Sequence, residues 1–206
     1  MNMTTKKRLH WFVALSCAIA LAFVASLLAG CGGSPAPAPT VDAEDEASYL
    51  TPVIGAKALE DGRKVGGSAK GGIGDELANV FFTYRVDKAA LADEFDGEKP
   101  ERGFAFVVAE VTVINTFGEP LPMWADDFVL QWGDGDDEYA YPYPKYTDEQ
   151  MEEEYMLDAD DEVTATLLFE VPLQEGVREY NISYLEYYDD DVEGNMFYII
   201  FDLSML

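Results

Sequence analysis

The sequence predicts an all-β domain, an antiparallel β-sandwich that carries one short helical insertion. Three observations predict it. Several segments alternate apolar and polar residues with a period of two, β-branched and aromatic residues concentrate in those segments, and turns rich in glycine and aspartate separate them. About six or seven such segments lie between Leu77 and Leu206, which is typical of a sandwich.

The clearest predicted strand runs from Phe104 to Asn115 and is apolar on both faces at its start, as expected in the middle of a sheet. Near residue 130, Gly133 and Gly135 predict a hairpin turn, and the chain returns at Tyr139. Pro172 ends another strand because proline cannot donate to a ladder. The remaining predicted strands are Val80–Val86, Phe128–Trp132, Glu162–Val171, Tyr180–Tyr184 and Phe197–Leu203.

One helix is expected between these strands. Thr147, Asp148, Glu149 and Gln150 match a capping box with acidic residues in the first turn. Met151 and Tyr155 would share one face four residues apart. We expect this helix to run to about Leu157.

The N-terminal segment is typical of a secretory signal. Lys6, Lys7 and Arg8 precede the uncharged run Trp11–Leu28, and small residues follow. The tetrapeptide Leu28-Ala29-Gly30-Cys31 resembles the lipobox of bacterial lipoproteins, in which the cysteine receives a diacylglyceryl group and becomes the N-terminus. We therefore predict a signal peptide over residues 1–30 and lipidation of Cys31. The alternatives are an uncleaved membrane anchor and a soluble secreted form.

Residues 31–72 are rich in glycine, proline, alanine and charge, which predicts a flexible tether between the lipid and a domain over residues 73–206. Cleavage would also remove Cys17 and His10, so the mature domain would contain no disulfide, no thiol and no histidine. The expected location is the extracytoplasmic side of the cell membrane, and the predicted membrane contact is the lipid on Cys31.

The charge and composition exclude several functions. The formal net charge is −27, which repels nucleic-acid phosphates, so no nucleic-acid partner is expected. Without histidine or an available thiol, nucleophilic triads are excluded. Paired carboxylates could in principle hydrolyse a glycoside, but nearby carboxylates arise by chance in a chain this acidic. We do not expect an enzyme.

The segment Gly103–Thr116 resembles the long strand of an uncharacterised immunoglobulin-like domain family of bacterial lipoproteins, related to small secreted mycobacterial immunoglobulin-fold antigens. Pro120, a glycine turn at Gly133–Gly135 and a strand closing at Phe169–Pro172 follow as in that family. Residues 158–162, Asp-Ala-Asp-Asp-Glu, replace the family's usual Pro-Gly-Glu-like turn. The resemblance implies an immunoglobulin-like sandwich and carries over no catalytic residue.

A run of alternate tyrosines, Tyr139, Tyr141 and Tyr143, is the first candidate site. In an extended chain the three fall on one side and could form an aromatic platform for an envelope protein or a glycan. Alternatively, the rings cap the core beneath the helical insertion. The function predicted on this basis is a lipid-anchored binding or interaction module of the cell envelope.

Acidic loops are the second candidate site. Asp189, Asp191 and Glu193 come closest to a calcium loop, but Ile200 stands where the bidentate glutamate belongs. Calcium is the one cofactor considered, and a calcium-dependent structural or adhesive domain is the alternative function. Solvated turn carboxylates explain the same pattern without any ligand.

Overall fold

Strands dominate the part of the chain that can be described. The computed structural model describes residues 50–133, 135, 137–173, 176, 179–188 and 192–203. A 3-10 turn at Ala125–Asp127 is the one helical element among these residues. The strands are β1 (Lys57–Ala58), β2 (Lys64–Val65), β3 (Ser68–Gly71), β4 (Leu77–Ala78), β5 (Phe82–Ala92), β6 (Phe104–Asn115), β7 (Leu121–Trp124), β8 (Phe128–Gln131), β9 (Tyr139–Ala140), β10 (Glu154–Leu157), β11 (Glu162–Pro172), β12 (Glu179–Tyr187) and β13 (Glu193–Asp202).

Two main sheets form a sandwich. One has four strands in the order β11-β6-β5-β4, and the other has five in the order β3-β13-β12-β8-β9. The pairs β1-β2 and β10-β7 make two small additional sheets. The predicted all-β sandwich is therefore confirmed. It is not wholly antiparallel, because β3 lies parallel to β13.

The core lies between the inward faces of the two sheets. Alternate residues of β6, among them Val107 and Val111, are fully buried there. Phe82 of one sheet contacts Tyr184 of the other, with ring centroids 4.6 Å apart. The hydroxyl of Tyr84 donates to the carbonyl oxygen of Phe197 at 3.0 Å, so this buried polar group is satisfied.

The helix predicted from Thr147 to Leu157 is wrong. Gln150 forms a parallel bridge with Thr166 on the edge of β11, and β10 pairs with β7 instead. The Gln150 side-chain oxygen accepts from the backbone N–H of Tyr146 at 2.9 Å. A helix of this length is marginal alone, and two open strand edges supplied the backbone with partners.

The predicted tether extends too far toward the C-terminus. Residues 50–72 include β1, β2 and β3, and Ala69 of β3 is buried in the core. Gly67 owes its identity to close packing, since a Cβ there would lie 2.8 Å from Ala56. Gly67, one of the glycines that suggested flexibility, therefore serves a close approach of two backbone segments.

The signal peptide, Cys31 and residues 31–49 of the predicted tether lie outside the described residues. Within the described part of the chain, no helix is both long and apolar enough to cross a membrane.

Candidate ligand-binding face

The tyrosine-rich segment crosses from one sheet to the other. It begins in β9, at the edge of the five-stranded sheet, where Tyr139 pairs with Gln131. It then reaches β11, where the backbone N–H of Tyr143 donates to the carbonyl oxygen of Leu168 at 2.5 Å. Pro142 and Pro144 have no N–H, so Tyr143 supplies the donor between them.

The three predicted tyrosines separate along this crossing. Tyr139 and Tyr141 are 44% and 56% exposed. Their ring centroids lie 5.7 Å apart with the planes at 90°. Tyr143 is half-buried on the opposite side of the molecule, where its ring packs edge-on against Phe106 at 5.4 Å. A two-residue alternation could not show that the chain changes sheets between Tyr141 and Tyr143.

The register of the five-stranded sheet places neutral polar side chains beside Tyr139. Tyr139 pairs with Gln131, Gln131 with Asn181, and Asn181 with Ile200, so these four residues form one row across the sheet. The alternating residues Leu130, Ile182 and Ile199 are buried in the core. Because side chains alternate along a strand, the row points away from the core.

A second outward row joins Val129, Ser183, Tyr198 and Lys70. The ammonium of Lys70 lies 5.8 Å from the centroid of the Tyr198 ring, within cation–π range. Across the two rows Lys70 is the one charged position, and it stands at the outer end. The centre of this sheet face is therefore uncharged in a chain with 40 acidic residues.

Tyr187 lies at the same face and was missed by the sequence reasoning. It is 58% exposed, and its hydroxyl donates to a carboxylate oxygen of Glu193 at 3.5 Å. Partial burial and the negative charge of Glu193 raise the pKa of Tyr187, and Tyr141 adds to the effect. The sequence could have identified Tyr187, because it alternates with the buried residues of β12 and so belongs to the outward side of that strand. We call Tyr139, Tyr141, Tyr187, Tyr198, Gln131 and Asn181 the tyrosine face.

A cavity of about 240 Å³ lies where the crossing segment meets β11, lined in part by Tyr143, Lys145, Gln150 and Met151. The Lys145 ammonium is already bound to a carboxylate oxygen of Glu152 at 2.5 Å. Pockets for small molecules usually enclose about 300–1,000 Å³. The tyrosine face, rather than this cavity, is the better candidate site.

The acidic candidate site is only partly described. Asp189 and Asp191 lie outside the described residues. Glu193 is the first residue of β13, and its carboxylate accepts a hydrogen bond from the Tyr187 hydroxyl. In the described ranges no group of three histidine, cysteine, aspartate or glutamate side chains is arranged to hold a metal ion. Calcium binding stays a prediction.

A buried carboxylate, also missed from the sequence, holds the N-terminal segment in place. Glu186 is 1% exposed. Its oxygens accept from the backbone N–H of Val80 at 3.2 Å, and from the backbone and side-chain N–H groups of Asn195 at 2.9 Å. Asn195 in turn accepts from the N–H of Gly67 and donates to the carbonyl of Lys64. These bonds give Glu186 a structural role.

No family model and no curated protein matches this sequence. Solved structures give partial likenesses. The ycdA protein of Bacillus subtilis, provisionally classed as a lipoprotein, is 21% identical, with 60% of this chain and 38% of that chain aligned and a TM-score of 0.47. MPT63, a secreted protein of Mycobacterium tuberculosis, is 12% identical over 63% and 96% of the two chains, with a TM-score of 0.46.

An uncharacterised β-sandwich protein of Clostridium difficile is 9% identical over 70% of this chain and 99% of that chain, with a TM-score of 0.41. The chain thus spans well under two thirds of ycdA. With identities this low and TM-scores below 0.5, nothing about activity or partners follows from these three. The chain is similar, in part, to β-sandwich proteins of bacteria.

Proposed function

We propose that this protein is a lipid-anchored, extracytoplasmic, immunoglobulin-like module that binds a ligand of the bacterial cell envelope through its tyrosine face, and that it catalyses no reaction. The observation that carries the proposal is the exposure of Tyr139, Tyr141 and Tyr187 on one sheet face, in which the row from Tyr139 to Ile200 carries no charged side chain. Exposed apolar or aromatic patches on soluble domains usually mark interaction sites, and tyrosine combines a large ring with a polar hydroxyl.

The strand order supports the immunoglobulin-like part of the proposal. In that fold the second strand of the sandwich lies between the first and the fifth, while the third, sixth and seventh share the other sheet. Here β6 lies between β5 and β11, and β8, β12 and β13 are consecutive neighbours in the other sheet. The order agrees when β5, β6, β8, β11, β12 and β13 are taken as the first, second, third, fifth, sixth and seventh strands; in the four-stranded sheet β11 is an edge strand, so the fourth strand of that fold has no counterpart beside it.

The sequence of the N-terminus supports the anchor. Leu28-Ala29-Gly30-Cys31 directly follows an apolar run that has a basic start. A diacylated cysteine provides two acyl chains, and more than one lipid signal is needed for stable anchoring. Mass spectrometry of the membrane-bound protein tests this. We expect a diacylated Cys31 at the N-terminus, and a full-length chain with unmodified Cys31 would contradict it.

Within the tyrosine face, Tyr139 lies away from the point where the described chain enters the domain. The backbone N–H of Thr51 donates to the carbonyl of Ala78, and Gly66 donates to Gly194, so the entering chain lies at the end of the sandwich where β13 begins. Tyr139 lies in the same cross-strand row as Ile200. Along β13, Ile200 is about 20 Å from Gly194 at ~3.4 Å per residue.

A sedimentation experiment tests the binding proposal. The full-length protein, kept in detergent, is mixed with lipid-extracted bacterial cell walls, so that insertion of acyl chains cannot retain it. We expect wild type to co-sediment and the double variant Tyr139→Ala/Tyr141→Ala to lose at least about nine-tenths of that retention, since aromatic anchors dominate binding energy. Phe117→Ala is the matched control, because Phe117 is 47% exposed and lies off the tyrosine face. Equal retention of wild type and the double variant would refute the proposal.

A further inference from the structure

We infer that the ligand of the tyrosine face is an uncharged glycan. This inference rests on the proposed function and names its ligand class. First, the electrostatics of the outward row favour a neutral ligand. The row from Tyr139 to Ile200 contains no charged side chain, while the chain as a whole has a formal net charge of −27. An anionic polymer would be repelled by the surrounding field, and a cationic one would find no carboxylate in this row.

The second step is the hydrogen-bonding chemistry. Gln131 and Asn181 lie side by side on neighbouring strands, whose backbones are about 4.8 Å apart, and both side chains belong to the outward row. The Gln131 amide can offer donors and an acceptor without a charge, while Asn181 can offer its N–H donors, because its side-chain oxygen is buried. A polyhydroxylated, neutral ligand matches such groups, because each sugar hydroxyl can both donate and accept.

The third step is the arrangement of the rings. Tyr139 stands beside the amides at the edge strand, and Tyr141 meets it edge-on at 5.7 Å. Perpendicular rings cannot stack on each other, and both remain about half exposed. An aromatic ring face is a suitable surface for the apolar C–H side of a sugar ring. The row from Tyr139 to Ile200 spans three strand spacings, about 14 Å, so an oligosaccharide fits better than a single sugar.

The experiment uses the same lipid-extracted cell walls after two treatments. Periodate cleaves the vicinal diols of glycans, and protease removes the accessible protein. We expect periodate to abolish retention of the full-length wild type and protease to leave it within about twofold. Asn181→Ala should weaken retention at least about threefold, while Phe117→Ala should not change it. Raising the salt concentration should have little effect, because a neutral ligand makes no ion pairs to be screened.

Two kinds of failure are distinguishable. If retention depends on Tyr139 and Tyr141 but is lost after protease and kept after periodate, the ligand is a protein. The glycan inference then fails and the proposed function stands. Retention that survives both treatments, or that falls steeply with salt, also overturns the glycan inference. If wild type is not retained, or is retained equally without the two tyrosines, the proposed function fails and the inference with it.

Discussion

The outer faces of the two main sheets differ sharply. On the four-stranded sheet the outward residues Phe106 and Leu168 are buried, because Tyr143 and its neighbours lie over them. On the five-stranded sheet the outward residues Tyr139 and Tyr187 are about half exposed, and nothing in the described part of the chain covers them.

The polar residues of the four-stranded face also bind one another. The hydroxyl of Thr112 donates to a carboxylate oxygen of Asp87 at 2.5 Å and lies 2.8 Å from the hydroxyl of Thr164. The Arg85 guanidinium binds both Asp87 and Glu76. One face therefore satisfies its aromatic and polar groups internally, and the other keeps them available. This difference is the reason we propose the five-stranded sheet as the binding face.

The largest expected effect concerns the covered face. Phe106→Ala should lower the free energy of unfolding by about 3–5 kcal/mol, because it removes a buried ring and leaves a cavity under Tyr143. Tyr141→Ala, a change of similar size on the open face, should cost less than about 0.5 kcal/mol. Urea unfolding of both variants measures the contrast, and equal losses would mean that the two faces do not differ as described.

The next effect concerns the buried tyrosines of the core. Burial raises the pKa of Tyr84 well above its ordinary value of 10.0, and it also raises the pKa of Tyr184. A raised folded-state pKa gives stability that is complete below pH ~10 and lost above it, since only the unfolded chain can ionise these groups there.

Each of these two buried tyrosines should therefore lower the free energy of unfolding by about 1.4 kcal/mol for every pH unit above ~10. Urea midpoints measured from pH 9 to 11.5 test this slope. In Tyr84→Phe the pH slope of the free energy of unfolding should be shallower by about the contribution of one tyrosine. A slope that Tyr84→Phe does not alter would contradict the buried position of this hydroxyl.

The polar network of the covered face should contribute less. Burial opposes ionisation of Asp87, but the hydrogen bonds from Thr112 and Arg85 prevail and lower its pKa. A lowered folded-state pKa gives stability that is present above the ordinary aspartate value near 3.8 and lost as the pH falls below it.

We expect Asp87→Asn to cost about 1 kcal/mol at pH 7 and to flatten the acid side of the stability curve. Glu110→Gln, which breaks the exposed ion pair with Lys88, should change stability by less than about 0.5 kcal/mol. Thermal unfolding at pH 3 to 7 compares them, and an unchanged acid slope in Asp87→Asn would refute the role given to the network.

The smallest expected effect is on the stability of the binding variant. The double variant Tyr139→Ala/Tyr141→Ala should melt within about 3 °C of wild type, because both rings are exposed and contact mainly each other. Calorimetry measures the difference. A drop above about 6 °C would show that these rings stabilise the fold, and loss of cell-wall retention could then not be assigned to binding.

The alternation of residues was sufficient to predict the long strands. Phe104–Asn115 was predicted as a strand and is β6, and Glu162–Val171 differs from β11 by one residue. In these segments one face is buried over ten or more residues, so the period of two is strong. The sandwich followed from the same pattern.

Features decided by distant partners could not be predicted. The pattern at Thr147–Leu157 satisfied the local rules for a helix, but the edges of β7 and β11 supplied the backbone with hydrogen bonds. The sequence around Gly67 is typical of a linker. Its close packing against Ala56 could not be predicted, because the hairpin β1-β2 brings Ala56 to that position. Likewise, burial of Glu186 depends on Asn195, which lies on β13, and on Val80, which lies in the turn between β4 and β5.

The parallel pairing of β3 with β13 has a mechanical consequence. If lipid holds the N-terminus while a ligand holds the tyrosine face, tension enters the domain from the end where β3 begins and acts along that strand. The bonds between Ser68–Gly71 and Met196–Ile199 lie across the strands, so they are loaded together, in shear, instead of being opened one by one. The bonds from Asn195 to Gly67 and Lys64 lie in the same path. Under such a load β3 would act as a strain-bearing joint between the proposed anchor and the proposed binding face.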